Sequence, residues 1–135
     1  MMDGQHKVLA NVARLHEFMD RDGCSAVVAR SGKNFTYLTG VAFPGSQGRH
    51  VDFSDSPREV YVVWPRQGEP VVIVGTVGVA RLRRDSWVST IEEYSDYRQS
   101  AAECTVEVIK RRGLEKSKLG FEKTYLSAVR WEEFT

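Results

Sequence analysis

The sequence is poor in cysteine, with only Cys24 and Cys104 among 135 residues. The two thiols form no Cys-x-x-Cys motif, and two cysteines alone do not complete a zinc site. Cys24 opens a predicted strand and Cys104 lies within a predicted helix. We therefore expect two buried thiols, with a disulfide bond as the minor alternative.

Long hydrophobic runs are also missing. No apolar stretch approaches the ~18 residues that a membrane-spanning helix requires. The first residues, MMDGQHKVLAN, lack the apolar core of a secretory signal. These observations predict a cytoplasmic protein without a membrane partner.

Neither sign of charge is in excess, because 19 basic residues face 18 acidic ones. Proteins that bind nucleic acid usually carry a clear basic excess, so we expect no nucleic-acid partner. Two local basic clusters, Arg81–Arg84 and Lys110–Arg112, have acidic residues nearby and are interpreted as solvated surface.

The usual catalytic patterns do not occur. The three histidines, at 6, 16 and 50, and the two distant cysteines give no nucleophile–base set. His16 lies at the edge of an apolar helix face, so we interpret it as a boundary residue. Gly75–Gly78 lacks the spacing of a phosphate-binding loop. Glu92, Glu93 and Asp96 are expected to form an acidic loop after a strand.

What is present is typical of a globular domain. Hydrophobic residues make up 41% and charged residues 27% of the sequence. A chain of this length commonly forms one domain and can bury a substantial core, so we assign residues 1–135 to a single domain.

Helical and extended patterns alternate along the chain. The apolar residues Val8, Val12, Leu15 and Met19 share one face of a helix over 6–22, which Gly23 ends. The other main elements are predicted at Ala26–Ala29, Glu59–Trp64, Val71–Val74, Trp87–Ile91, Tyr97–Arg112 and Lys118–Glu122. This alternation predicts an α/β domain with a mixed sheet.

The stretch Asn34–Gly45, NFTYLTGVAFPG, links the first strand to a long polar loop. Asn34 can cap a short helix, and Gly40 can end it in the left-handed conformation. The loop over 41–57 exceeds the usual ~4–6 residues, and long loops in compact domains are often functional. Arg49 and His50 could contribute to a site there, and a surface loop is the alternative.

Several of these pieces, taken in order, resemble the amino-terminal domain of the creatinase, prolidase and aminopeptidase P family. The pieces are Arg14-Leu15 in the first helix, Gly23, the strand Ser25–Ala29, Asn34 with Tyr37–Gly40, the hairpin Glu59–Val74, Lys118–Glu122 and Leu126-Ser127. The resemblance covers about residues 8 to 132.

This resemblance implies a three-layer domain, in which helices flank both faces of the mixed sheet. It also implies a parent protein whose catalytic part, the pita-bread domain, follows residue 135. In that domain two aspartates, a histidine and two glutamates hold two divalent metal ions, commonly Mn, Co or Zn, which activate water. No metal ligand or catalytic residue is therefore expected in this chain, although its parent is expected to be a hydrolase of Xaa-Pro peptides or of creatine-like molecules.

In this family the amino-terminal domain helps to pair subunits and its loops approach the active site. The resemblance thus implies a homodimeric parent, and it implies that Tyr37, Arg49, His50 and Asp52 lie near a peptide or small-molecule substrate. Arg49 can bind a carboxylate through two hydrogen bonds, and His50 can donate or accept a proton near neutral pH. The alternative is a free-standing α/β binding or assembly module without an attached enzyme.

Overall fold

The structure is a computed structural model that describes residues 8–30, 33–41, 60–95, 98–121, 131–132 and 134–135. Its α-helices are Val12–Asp22 (α1), Lys33–Thr39 (α2), Val79–Asp85 (α3) and Ala101–Arg111 (α4). A short 3-10 helix, Thr76–Gly78, precedes α3. The strands are Ala26–Arg30 (β1), Tyr61–Pro65 (β2), Val71–Gly75 (β3), Thr90–Tyr94 (β4) and Leu119–Phe121 (β5).

Within the described residues the strands form one mixed sheet in the order β4-β3-β2-β1-β5. The two central pairings, β1 with β2 and β2 with β3, are antiparallel. The two outer pairings, β1 with β5 and β3 with β4, are parallel. All five residues of β2 are buried, as a central strand covered on both faces requires.

Helices cover both faces of the sheet, and each face builds its own core. Along β2, Tyr61 and Val63 point to one core, whereas Val62 and Trp64 point to the other. The core on the Val62 side includes residues of α1, α2 and α3, and the core on the Tyr61 side includes residues of α4. Because side chains alternate along a strand, one buried strand serves both layers. The predicted three-layer α/β architecture is confirmed.

Helix α1 is shorter than predicted at its beginning. The Asn11 side chain accepts a hydrogen bond from the Arg14 N–H at 3.1 Å, so Asn11 caps the helix and Val12 begins it. Val8 and Leu9, which the prediction placed in the helix, precede the cap and are 43% and 59% exposed. Gly23 ends the helix with a φ of 71°, as predicted.

Helix α4 also begins later than predicted, because a capping box fixes its start. The Ser100 hydroxyl accepts from the Glu103 N–H at 3.1 Å, and the Glu103 side chain accepts from the Ser100 N–H at 3.0 Å. The Ser-x-x-Glu spacing is visible in the sequence and is a known helix-start signal. The helix therefore begins at Ala101, four residues after the predicted start at Tyr97.

Strand β4 differs most from the prediction. It runs over Thr90–Tyr94, three residues beyond the predicted Trp87–Ile91, and pairs with β3 in parallel. Glu92 and Glu93 therefore lie in a strand, and the expectation of an acidic loop at these two residues is wrong. Glu92 has a partner, since one of its carboxylate oxygens lies 2.8 Å from Arg111 Nη2 at the end of α4. Asp96 lies outside the described residues.

Candidate functional site

The described part of the predicted site is the end of helix α2. Of the four residues predicted to approach substrate, Tyr37 lies on α2, and Arg49, His50 and Asp52 lie outside the described residues. The structure thus describes Tyr37, the first of these predicted residues, and the point at which the chain leaves α2. We call residues Tyr37–Val41 the α2 end.

Local hydrogen bonds account for the termination of α2. The Gly40 N–H donates to the Thr36 carbonyl at 2.8 Å, and Gly40 has a φ of 84°, which lies in the left-handed region. The Thr39 hydroxyl donates to the Phe35 carbonyl at 2.9 Å and accepts from the Val41 N–H at 3.3 Å. The predicted termination at Gly40 is confirmed. The helix begins at Lys33, one residue before the predicted cap, so Asn34 lies in its first turn.

Tyr37 joins the α2 end to the start of α1. Its hydroxyl oxygen accepts a hydrogen bond from the Asn11 backbone N–H at 2.7 Å, although the side chain is 46% exposed. A phenol that accepts one bond keeps its own proton for donation. Tyr37 can therefore hold α1 and still present a hydrogen-bond donor at the surface.

The segment between α3 and β4 anchors the α2 end from the other side. The Ser86 hydroxyl donates to the Thr39 carbonyl at 2.8 Å, and the Trp87 indole N–H donates to the Leu38 carbonyl at 2.9 Å. The last carbonyls of a helix have no partner within the helix, and here a distant segment supplies it. Sequence reasoning missed both anchors and assigned Trp87 to a strand.

Two tryptophans extend this anchor toward α1. Trp87 packs edge-on against Trp64 of β2, with ring centroids 5.7 Å apart. The Trp64 indole N–H donates to His16 Nε2 of α1 at 3.3 Å. His16 is half-buried at the edge of the helix, which agrees with its interpretation as a boundary residue.

An ion pair lies beside this contact. Arg66, after β2, binds both carboxylate oxygens of Asp20 at 2.8 and 3.1 Å. These hydrogen bonds, with the positive charge of Arg66, hold the pKa of Asp20 below its usual value of 3.8 and raise the pKa of Arg66. Both side chains are substantially exposed, so the pair orients α1 and adds little stability.

The two cysteines are unpaired. Cys104 is buried on α4 and Cys24 is half-buried before β1. Burial, followed by the nearby charges of Glu92 and Glu107, raises the pKa of the Cys104 thiol to about 11. This thiol is protonated at neutral pH and is a packing residue rather than a nucleophile. The expectation of buried thiols holds for Cys104 and only partly for Cys24.

The basic clusters engage nearby acceptors. Arg84 binds both carboxylate oxygens of Asp85 at 2.9 and 3.0 Å. At the end of α4, Arg112 Nη1 donates to the Glu69 carbonyl at 2.8 Å.

Among the residues that the structure describes, no three His, Cys, Asp or Glu side chains converge to hold a metal ion. Within the same residues, no helix is both long and apolar enough to cross a membrane.

The family can be decided from a match that spans most of the chain. The sequence model of the "Creatinase/Prolidase N-terminal domain" matches residues 11–135. The chain belongs to the creatinase/prolidase N-terminal domain family. Among curated proteins, none matches the sequence significantly.

Solved structures agree with this creatinase/prolidase N-terminal domain in fold. The N-terminal domain of the Xaa-Pro dipeptidase from Lactobacillus brevis has a TM-score of 0.72 and 16% identity, over 93% of this chain and 85% of that one. A proline dipeptidase from Streptococcus pneumoniae has a TM-score of 0.69 and 14% identity, over 92% and 82%. The prolidase from Thermococcus sibiricus has a TM-score of 0.70 and 17% identity, over 93% of this chain and 31% of that one.

Proposed function

We propose that this domain is the non-catalytic N-terminal part of a Xaa-Pro peptidase-like or creatinase-like metallohydrolase, in which it contributes to dimerisation and to substrate access. The observation that carries the proposal is the family match over residues 11–135. The Thermococcus sibiricus prolidase supports the division of labour, since this chain covers 31% of it and the remainder has room for a catalytic domain.

The chemistry belongs, in this proposal, to a separate domain with two divalent metal ions, Mn, Co or Zn. Such a pair activates water and stabilises the tetrahedral intermediate of hydrolysis. The donor set of the described residues does not fit a metal pair, because it contains no cluster of three candidate ligands. In the proposal, this chain supplies positioning of the substrate.

Substrate access is assigned to the α2 end and the loop that follows it. Tyr37 presents an exposed phenol, and hydrogen bonds from Ser86 and Trp87 fix the last carbonyls of its helix. Arg49, His50 and Asp52 lie 8 to 11 positions after Val41 in the sequence. In the proposal, Arg49 and Tyr37 contact the carboxylate and polar groups of a peptide or other small substrate.

Dimerisation through this domain is supported by exposed apolar side chains. Among the described residues, Val8, Leu9, Phe18 and Tyr37 are between 39% and 59% exposed. A continuous exposed apolar patch favours contact with another protein surface, and in the proposal these side chains contribute to such a patch. A cytoplasmic location is supported by the two free thiols, because disulfide bonds are rare in reducing compartments.

The proposal is tested first by reading the gene beyond codon 135. A continuing frame with two aspartates, a histidine and two glutamates in a pita-bread domain is the expected result. A stop codon after Thr135 would support the free-standing binding module instead. The isolated chain, assayed with a Xaa-Pro dipeptide and Mn²⁺, is expected to show no turnover.

In the full-length protein, Arg49→Ala and His50→Ala are expected to raise KM for the dipeptide. Arg83→Ala is the control, because Arg83 is an exposed arginine on α3 and is not among the residues predicted to approach substrate. Equal effects of Arg49→Ala and Arg83→Ala would contradict a role of the loop in substrate access.

Light scattering on the full-length protein tests the proposed dimerisation, and a monomeric mass would contradict it.

A further inference from the structure

His16 lies between two groups that can only donate hydrogen bonds. Its Nε2 accepts from the Trp64 indole N–H at 3.3 Å, and its Nδ1 lies 3.4 Å from Arg66 Nη1. An indole N–H and a guanidinium have no acceptor atom. Both ring nitrogens of one histidine therefore face donors.

The protonation state of the imidazole decides which of these contacts can form. A neutral imidazole has one lone pair, so it accepts the Trp64 N–H only as the tautomer protonated at Nδ1. An imidazolium has no lone pair, and its Nε2–H would point at the Trp64 N–H. One added proton thus converts a hydrogen bond into a contact between two donors.

The charged groups that face His16 in the described residues are Arg66, from the turn after β2, and Asp20, from α1 itself. Asp20 would attract an imidazolium, whereas Arg66 would repel it. Both oxygens of Asp20 already accept from Arg66, at 2.8 and 3.1 Å. The carboxylate is thus largely compensated, and the ion pair holds the guanidinium next to the imidazole.

We propose that the contact of His16 with Trp64 is a proton-sensitive junction between α1 and the sheet. Protonation of His16 breaks the hydrogen bond to Trp64 and loosens α1 from β2. The same helix is capped by Asn11, whose backbone N–H donates to the Tyr37 hydroxyl oxygen at 2.7 Å. Acid therefore weakens the helix that holds the hydroxyl of Tyr37 at the α2 end.

The first experiment follows the Trp64 indole N–H of the wild-type chain by NMR, with Trp64→Phe used to assign the signal. Acidification from about pH 8 to about pH 5 covers the range over which histidine changes charge. The indole proton is expected to shift upfield as its hydrogen bond is lost. An indole signal that stays constant over this range overturns the proposal.

The second experiment compares melting temperatures of the wild type and His16→Gln. Glutamine offers an amide oxygen as a permanent acceptor and does not titrate. The wild type is expected to lose roughly 3–5 °C in Tm over this acidification, as one hydrogen bond is broken in a domain of this size. His16→Gln is expected to lose much less, whereas the controls His6→Gln and His50→Gln should behave as the wild type does. An equal loss in His16→Gln refutes the proposal, and if that variant does not fold, the wild-type indole signal decides.

Discussion

Replacing Ser86 by alanine tests the connection between the α2 end and the segment before β4. Ser86 is buried, with 7% of its surface exposed. Its hydroxyl donates to the Thr39 carbonyl at 2.8 Å and accepts from the Val88 N–H at 3.0 Å. Its backbone N–H also closes α3 by donating to the Leu82 carbonyl at 2.9 Å. Alanine keeps this last bond and removes the first two.

The magnitude follows from the two backbone groups that lose their partner. A buried polar group left unsatisfied costs about 1–3 kcal/mol, so the loss of both partners in Ser86→Ala is expected to lower the free energy of unfolding by about 2–6 kcal/mol. Domains are typically stable by only about 5–15 kcal/mol, so this loss is a large fraction. Because the fold is retained, the dependence on denaturant, m, should not change.

The assay is urea unfolding monitored by circular dichroism and tryptophan fluorescence. Ser89→Ala is the matched control, because Ser89 is exposed and lies only three positions further on, and it should change stability by less than about 0.5 kcal/mol. Hydrogen exchange adds a local readout, since the Val88 N–H should exchange faster in Ser86→Ala. A variant as stable as the wild type, or a control that costs as much, would refute the reasoning.

Three further predictions follow from the structure. Burial raises the pKa of the Cys104 thiol to about 11. Cys104 should therefore resist a thiol reagent in the folded protein and react on unfolding, as measured by mass spectrometry. Arg66→Gln should raise the titration midpoint of the Asp20 carboxyl seen by NMR, because the hydrogen bonds from Arg66 lower that pKa. The small stabilisation from this pair is present above the usual carboxyl pKa of 3.8 and is lost as the pH falls through the lowered pKa of Asp20. Urea unfolding midpoints should therefore show that Arg66→Gln destabilises the domain more at pH 6 than at pH 2. Gly40→Ala should lower the free energy of unfolding by about 1–2 kcal/mol, measured by urea unfolding, because alanine is strained at the φ of 84°. The added Cβ would lie 3.9 Å from Trp87 Cδ1, an ordinary contact, so the cost comes from the backbone conformation. Modification of Cys104 in the folded protein, an unshifted Asp20 midpoint in Arg66→Gln, or an unchanged stability of Gly40→Ala would contradict the respective prediction.

Local sequence patterns predicted elements correctly where the pattern of apolar residues or a helix-ending glycine lies within a few positions. The hairpin of β2 and β3 is confirmed, with Val63 opposite Val71 in its register. Gly23 and Gly40 end α1 and α2 as predicted, and both have a positive φ. These features depend on neighbours in the chain, so their residue types suffice to reveal them.

The misplaced strand β4 shows where local patterns fail. Trp87 and Val88 look like strand residues because they are bulky and apolar, yet the Trp87 indole binds the Leu38 carbonyl, 49 residues away. Glu92 looks like a loop residue because it is charged, yet Arg111 of α4 pairs with it in the strand. In both cases a distant partner outweighs the local preference.

The candidate site also combines residues that the sequence indicates with contacts that only the structure shows. The sequence drew attention to Tyr37 and to the residues Arg49, His50 and Asp52, and only the first of these is described by the structure. Nothing local to Tyr37 indicates that its hydroxyl accepts from Asn11, 26 positions earlier. The role of the other three residues stays a prediction.

By itself, the sequence determined the α/β class, because the apolar periodicities and the glycines that end the helices depend on neighbouring residues, and the same sequence carries the family match over residues 11–135. Only the tertiary structure decided which donors meet which acceptors. The bond from Ser86 to Thr39 joins residues 47 positions apart, and the bond from Trp64 to His16 joins residues 48 positions apart. Such contacts arise when the sheet and its helices pack, because packing alone brings these groups together and removes the water that would otherwise satisfy them.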